Sequence, residues 1–236
     1  MLSSASCLHA QAACSSEEVK LLLSPTQAQA AVHSLHAGKE TRGRVYFYDT
    51  PTLDLLSQGM ILRFRDGAKL DLTTKFRPLS GKKLVDPSGG SARYSCEIDL
   101  NNGVENPSYS VQNEYAAARP PQTGEELLLL LTDNQKQLLK DSNVKIDWKR
   151  IKRIADIQST SWTTAAQPSL GKLSLELWQF PNGSILEVSG KVAPAAGQAT
   201  YIELQNLAKN RGLTLDANQS AKTSTALTKI TATQPR

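Results

Sequence analysis

The sequence predicts an α+β fold: an antiparallel β-barrel with a charged interior and helices packed outside it. Three observations carry this expectation. Charged residues recur two apart on separate segments, with apolar residues at the opposite parity, which is the alternation of a strand. Turn signals at Asp66-Gly67 and Pro181-Asn182-Gly183 join such segments into hairpins. Other segments carry apolar stripes at helical spacing, and such a stripe needs a sheet to cover it.

The elements read in order as follows. "EEVKLLLS" is the first strand. Ser24-Pro25 opens a helix that places Ala31, Val32 and Leu35 inward and closes at Gly38. "VYFYDT" is a strand, and Asp49 before Thr50-Pro51 reads as a turn-forming cap of the short helical turn that ends at Gly59. "MILRFRD" and "LDLTTKFRP" form the first hairpin, and residues 78–91 a Gly/Pro/Ser loop. "ARYSCEIDL" is a strand. Residues 106–124 read as a helix followed by a Pro-broken linker, and residues 123–141 as one leucine-striped helix capped by Thr123. "KIDWKRIKRIADIQ" is a strand, and "KLSLELWQF" and "SILEVSGKV" form the last hairpin. Residues 199–212 and 216–230 are two more helices, the latter with Lys222 as a solvated helix charge. The domain runs over 16–230, between a 1–15 tail and a 231–236 tail.

The dyads are Glu18-x-Lys20, Arg63-x-Arg65, Lys75-x-Arg77, Glu97-x-Asp99 and Arg150-x-Lys152, with Glu187 and, farther on, Lys191. Opposite them stand Val19 and Leu21, Leu62 and Phe64, Leu72 and Phe76, Ile98 and Leu100, and Leu186 and Val188. On one strand this would mean only a solvated sheet face. On strands far apart, with helices covering the apolar face, a ring with a charged interior satisfies both faces. Acids and bases inside it must then pair or bind ions.

Composition narrows the function. The net charge of +5 is spread along the chain, which favours an anionic ligand but does not single out nucleic acid. Three cysteines without a CxxC pair and three histidines give no zinc or redox motif. "GKKLVDPSGGS" lacks P-loop spacing. No apolar stretch spans a bilayer as a helix. A transmembrane barrel fits poorly: aromatics are 6% and helices interrupt the strands. Trp148, Trp162 and Trp178 read as packing residues. Ala10-Gln11-Ala12 is signal-peptidase-like, so the first residues are an export-signal end, a cloning remnant or a plain tail. The compartment follows: secreted or periplasmic with an export signal, cytoplasmic without one.

In this order of segments, and above all in "YFYDTPTLDLLSQGMILRFRDG" and the Lys75 strand, the chain resembles the CYTH domain of the triphosphate tunnel metalloenzymes. The likeness runs from about Glu17 to the final helix. It implies an eight-stranded antiparallel tunnel in which basic residues grip a triphosphate and acids hold Mg²⁺ or Mn²⁺. By position, Lys20, Arg63, Arg65, Lys75, Arg77, Arg150, Lys152 and Lys191 would bind phosphates, with Arg153 competing with Arg150 and Lys152 for the inward parity. Glu18, Glu97 and Asp99 would be the catalytic acids, and Glu18, Glu97, Glu176 and Glu187 the metal ligands. Two departures are both losses of an acid: Ser16 stands where the motif begins with Glu, and Ser189 where it ends with one. The implied function is divalent-metal-dependent hydrolysis of a triphosphate compound. The alternative is a tunnel that binds polyphosphate or another polyanion without turnover. No membrane or nucleic-acid partner is implied, and the oligomeric state stays open, a homodimer included.

Overall fold

The structure, a computed structural model, describes residues 14–79 and 94–233. Most of the N-terminal tail, most of the 78–91 loop and the last three residues lie outside the described residues.

Nine strands close into one barrel. They are β1 (Ser16–Leu23), β2 (Thr41–Asp49), β3 (Met60–Asp66), β4 (Leu70–Phe76), β5 (Ser95–Asn101), β6 (Val104–Tyr115), β7 (Lys152–Thr163), β8 (Ser174–Phe180) and β9 (Gly183–Val192). The order round the ring is β1-β5-β6-β4-β3-β2-β7-β8-β9. The expectation of eight antiparallel strands is corrected in two ways. The ninth strand is β6, which the sequence reads as a helix and linker. Its Ser108, Ser110 and Gln112 alternate with Tyr109 and Val111, and pairing with both β4 and β5 outweighs its turn-rich composition. The sheet is also mixed, because β1 runs parallel to β5 from Ser16↔Glu97 to Lys20↔Asn101.

Among the described residues five α-helices accompany the barrel: α1 (Ala28–Ser34), α2 (Gly124–Leu130), α3 (Asp133–Asp141), α4 (Gly197–Asn210) and α5 (Lys222–Ala232). The single helix expected over 123–141 is two. Thr132 accepts from the Gln135 amide while the Gln135 side chain accepts from the Thr132 amide, and this reciprocal cap starts a second helix. Asp49 caps as its sequence suggests. Its carboxylate accepts from the amides of Thr50, Leu55 and Leu56.

The outward face is covered as the pattern requires. Val19, Leu21 and Leu23 of β1 pack with Tyr201, Leu204 and Ala208 of α4. Leu62, Phe64, Leu72 and Phe76 of the β3–β4 hairpin pack with Leu127, Leu138 and Leu139 of α2 and α3. A third core lies on the opposite parity. Leu22, Phe47, Ile61, Trp178 and Ile185 share the inward face with the charged dyads, and they enclose Ala226, Leu227 and Ile230 of α5. One end of the barrel interior is therefore dry and stopped by α5. The Gln219 side chain anchors the approach to that helix, accepting from the Leu22 amide at 3.0 Å and donating to its carbonyl at 2.8 Å.

Candidate functional site

The rest of the interior is a cavity of about 390 Å³. It lies within the usual size of small-molecule sites. Glu18 and Lys20 enter it from β1, Arg63 and Arg65 from β3, Lys75 from β4 with Arg77 just beyond, Glu97 from β5, Glu176 from β8, and Glu187 and Lys191 from β9. Asp99 of β5 lies fully buried behind this surface, in contact with its cations. Period-two alternation thus brings these eleven expected residues together.

Arg150 and Lys152 do not join them. The strand expected from residue 145 begins only at Lys152. Arg150 therefore sits in the preceding turn, exposed, 3.4 Å from Asp54. Lys152 is exposed at the strand end opposite Asp49. Arg153 is not inward either; its guanidinium lies over the Tyr46 ring, 5.2 Å from the centroid, beside the outer core.

Lys222 corrects the reading in the other direction. It is buried, not solvated, and its ammonium binds Glu176 and, at 2.7 Å, Glu187, 4.5 Å from the centre of the Trp178 ring. A signal for it existed. A lysine in the first turn opposes the helix dipole, so some other partner must hold it there.

The charges fall into three groups. In the first, Asp99 receives Lys20 at 2.5 Å, Lys75 at 2.8 Å and Arg77 at 2.9 Å, and Lys20 also binds Glu18 at 2.8 Å. Burial alone would raise the Asp99 pKa, but Lys20, Arg77 and Lys75 hold it well below the usual carboxylate range. Burial pulls Lys20 down, but Asp99 and Glu18 outweigh it and raise its pKa. Lys75 goes the other way: burial and the Arg77 charge push it down to about 8. In the second group, Lys222 and Arg65 keep Glu176 ionised against its burial.

The third group is Arg63 and Arg65. Arg63 donates to the Thr73 hydroxyl at 3.1 Å, and no carboxylate among the described residues pairs with it. Arg65 reaches Glu176 only at 3.7 Å. The buried Nε atoms of both have no partner. Burial and the neighbouring Arg65 push the Arg63 pKa down to about 9. Unmatched positive charge is therefore concentrated on β3.

No protein-family profile and no curated protein matches this sequence. Solved structures do match the fold. HpAC1 from Hippeastrum, described as a candidate adenylyl cyclase with a dominant triphosphatase activity, aligns with a TM-score of 0.62 at 19% identity, over 88% of this chain and 92% of that one. A candidate adenylate cyclase from Bacillus halodurans aligns at 0.57 and 14% identity, over 90% and 97%. The chain shares the fold of these proteins, a closed barrel with a charged interior. At these identities the likeness is one of architecture.

Within this barrel one carboxylate oxygen each from Glu18, Glu97 and Asp99 lie within 4.8 Å of one another. Three carboxylates so placed suit a hard divalent cation such as Mg²⁺ or Mn²⁺. The two serines stand beside this trio. Ser16 donates to Glu97 at 3.3 Å and Ser189 to Glu18 at 3.4 Å. Lys191 binds Glu97 at 2.8 Å. Glu176 and Glu187, expected as metal ligands, instead share the Lys222 ammonium. The tunnel thus supplies one carboxylate trio and one lysine-neutralised pair.

Proposed function

We propose that the tunnel binds the phosphate chain of a triphosphate compound at Arg63, Arg65, Lys75 and Arg77 and hydrolyses one of its anhydride bonds. The observation that carries this is the unmatched guanidinium of Arg63 inside a cavity whose other wall holds the acidic trio. On the ring, β3 stands three places from β5 in a nine-strand circuit, so an anion on Arg63 faces the trio across the lumen.

Phosphoryl transfer needs charge neutralisation and an aligned water more than covalent help. Fixed guanidiniums on strands provide the first in a space shielded from bulk water. Glu18, Glu97 and Asp99 would hold the divalent cation, which when bound would supply positive charge to offset the negative charge of the phosphates. Asp99 is gripped by three cations and the Glu18 pKa is lowered, so these two carboxylates are poor proton acceptors at neutral pH. Their part is to fix cations and orient water. The dominant triphosphatase activity described for the Hippeastrum neighbour supports the reading.

A second reading has its own observation. Ser16 and Lys191 occupy Glu97 and Ser189 occupies Glu18, two carboxylates of the trio, which favours a tunnel that holds a polyanion without turnover. Phosphate release from inorganic triphosphate and nucleoside triphosphates, with Mg²⁺ and with Mn²⁺, separates the two. Hydrolysis requires release that falls at least about 100-fold in Arg63→Met, the scale of losing charged hydrogen bonds. The same variant should melt at a higher temperature, because an under-compensated buried charge is gone. Thermal stabilisation by triphosphate with no release under either metal would establish the binding reading. Undiminished release in Arg63→Met would overturn both.

A further inference from the structure

We propose that a disulfide between Cys14 and Cys96 is a redox-controlled clasp that positions Glu97 in the acidic trio. The inference rests on the metal reading above. The two cysteines are 82 residues apart in sequence, and their Cα atoms are 4.7 Å apart. They lie at the start of the β1–β5 seam, the parallel joint of the ring. Cys96 is bonded in the chain to Glu97, whose partner across the seam is Ser16.

The seam divides the trio. Glu18 comes from β1, while Glu97 and Asp99 come from β5. Asp99 has strong holds of its own in Lys20, Lys75 and Arg77. Glu97 lies at the outer end, held by Ser16 at 3.3 Å and by Lys191, whose side chain is 68% exposed. Beyond it, among the described residues, the seam has Ser15, whose amide and hydroxyl donate to the Cys96 carbonyl at 3.2 and 3.3 Å. The sulfur bridge is the one covalent tie among these contacts. β6 holds the other edge of β5, pairing Ser95 with Ser110 and Glu97 with Ser108, whose hydroxyl donates to the Glu97 carbonyl at 3.1 Å. Opening the bridge therefore loosens the β1 side of Glu97 and leaves Asp99 and the β3 arginines in place.

Reduction is a thiol exchange. An external dithiol attacks the bridge, the S–S bond breaks, two electrons and two protons pass to Cys14 and Cys96, and the dithiol leaves as its own disulfide. Loss of outer support typically weakens a metal site about 10–100-fold.

The test uses the full chain with Cys7→Ser, which removes the third thiol. Peptide mapping without reductant should find the 14–96 link. Dithiol treatment, or Cys14→Ser with Cys96→Ser, should weaken Mn²⁺ binding at least about tenfold and speed amide exchange at Glu97 and Ile98. Metal-free triphosphate affinity should stay within about twofold, since Arg63 and Arg65 are on β3. Reoxidation should restore the Mn²⁺ affinity of the cysteine protein and not of the serine variant. Absence of the link, equal Mn²⁺ affinity in both redox states, or parallel loss of anion affinity each overturns the clasp. If the oxidised protein binds no Mn²⁺, the metal reading fails on its own. Amide exchange then decides: faster exchange on reduction keeps the clasp, and unchanged exchange overturns it.

Discussion

The two halves of the barrel interior are built on the same strands with the same alternation, yet one is a core and the other a cavity. On β3, Ile61 and Arg63 share the inward face two residues apart; on β9, Ile185 and Glu187 do; on β8, Trp178 and Glu176 do. In each pair the apolar member packs in the α5 core and the charged member lines the lumen. Parity therefore decides which residues enter the barrel. What stops each end decides whether they become packing or chemistry. Lys222 marks the border: it belongs to α5, whose later turns fill the dry half, while its own ammonium neutralises two acids of the wet half.

The largest break in this division should come from Asp99→Asn. It removes the common partner of Lys20, Lys75 and Arg77. Leaving buried cations unpaired should cost about 3–5 kcal/mol in denaturant unfolding. The released cations should at the same time tighten metal-free triphosphate binding, seen by titration calorimetry, and added triphosphate should recover part of the lost stability. Loss of stability without tighter anion binding would mean that the three cations do not face the ligand.

Leu227→Ala addresses the dry half. Leu227 is buried among inward apolar side chains, and its truncation should cost about 3 kcal/mol, within the range for buried leucines. Triphosphate affinity should change less than threefold if the halves are energetically separate. A larger drop would show that α5 sets the position of Lys222 and the acids it holds.

The smallest effect is a pH dependence. The Lys75 pKa is lowered from its ordinary 10.5 to about 8. The ammonium is present below about 8 and is lost as pH rises through it, so affinity for an anion should fall above that value by up to about tenfold per pH unit. The ligand-free protein should gain stability over the same range, because between about 8 and 10.5 the unfolded chain binds more protons than the folded one. Lys75→Arg should flatten both slopes between about 8 and 9, below the value at which Arg63 loses its own charge.

The inward set was readable because charge at every second residue survives errors in strand ends. Arg65 points inward wherever β3 begins. The failures are those that alternation cannot catch. Arg150 depended on where β7 starts, and a shift of a few residues moved it into a turn. Lys222 comes from a helix, so its place in the lumen depends on a contact with β8 and β9 more than thirty residues away. β6 has little apolar content for the alternation to show, with serines and glutamine facing the lumen. The parallel β1–β5 seam joins segments about 80 residues apart, and nothing in either segment specifies its partner.

That seam has a bearing on biosynthesis. β1 is bordered by β5 on one side and by β9 on the other. As the chain emerges from the ribosome, its first strand must wait for residues 183–192 before its second edge is paired. Until then Val19, Leu21 and Leu23 also lack α4, which follows β9. Contacts this distant in sequence close slowly and leave an apolar strand edge open to other chains. The nascent protein thus spends most of its synthesis as an unclosed sheet, the period in which a chaperone would have most to protect.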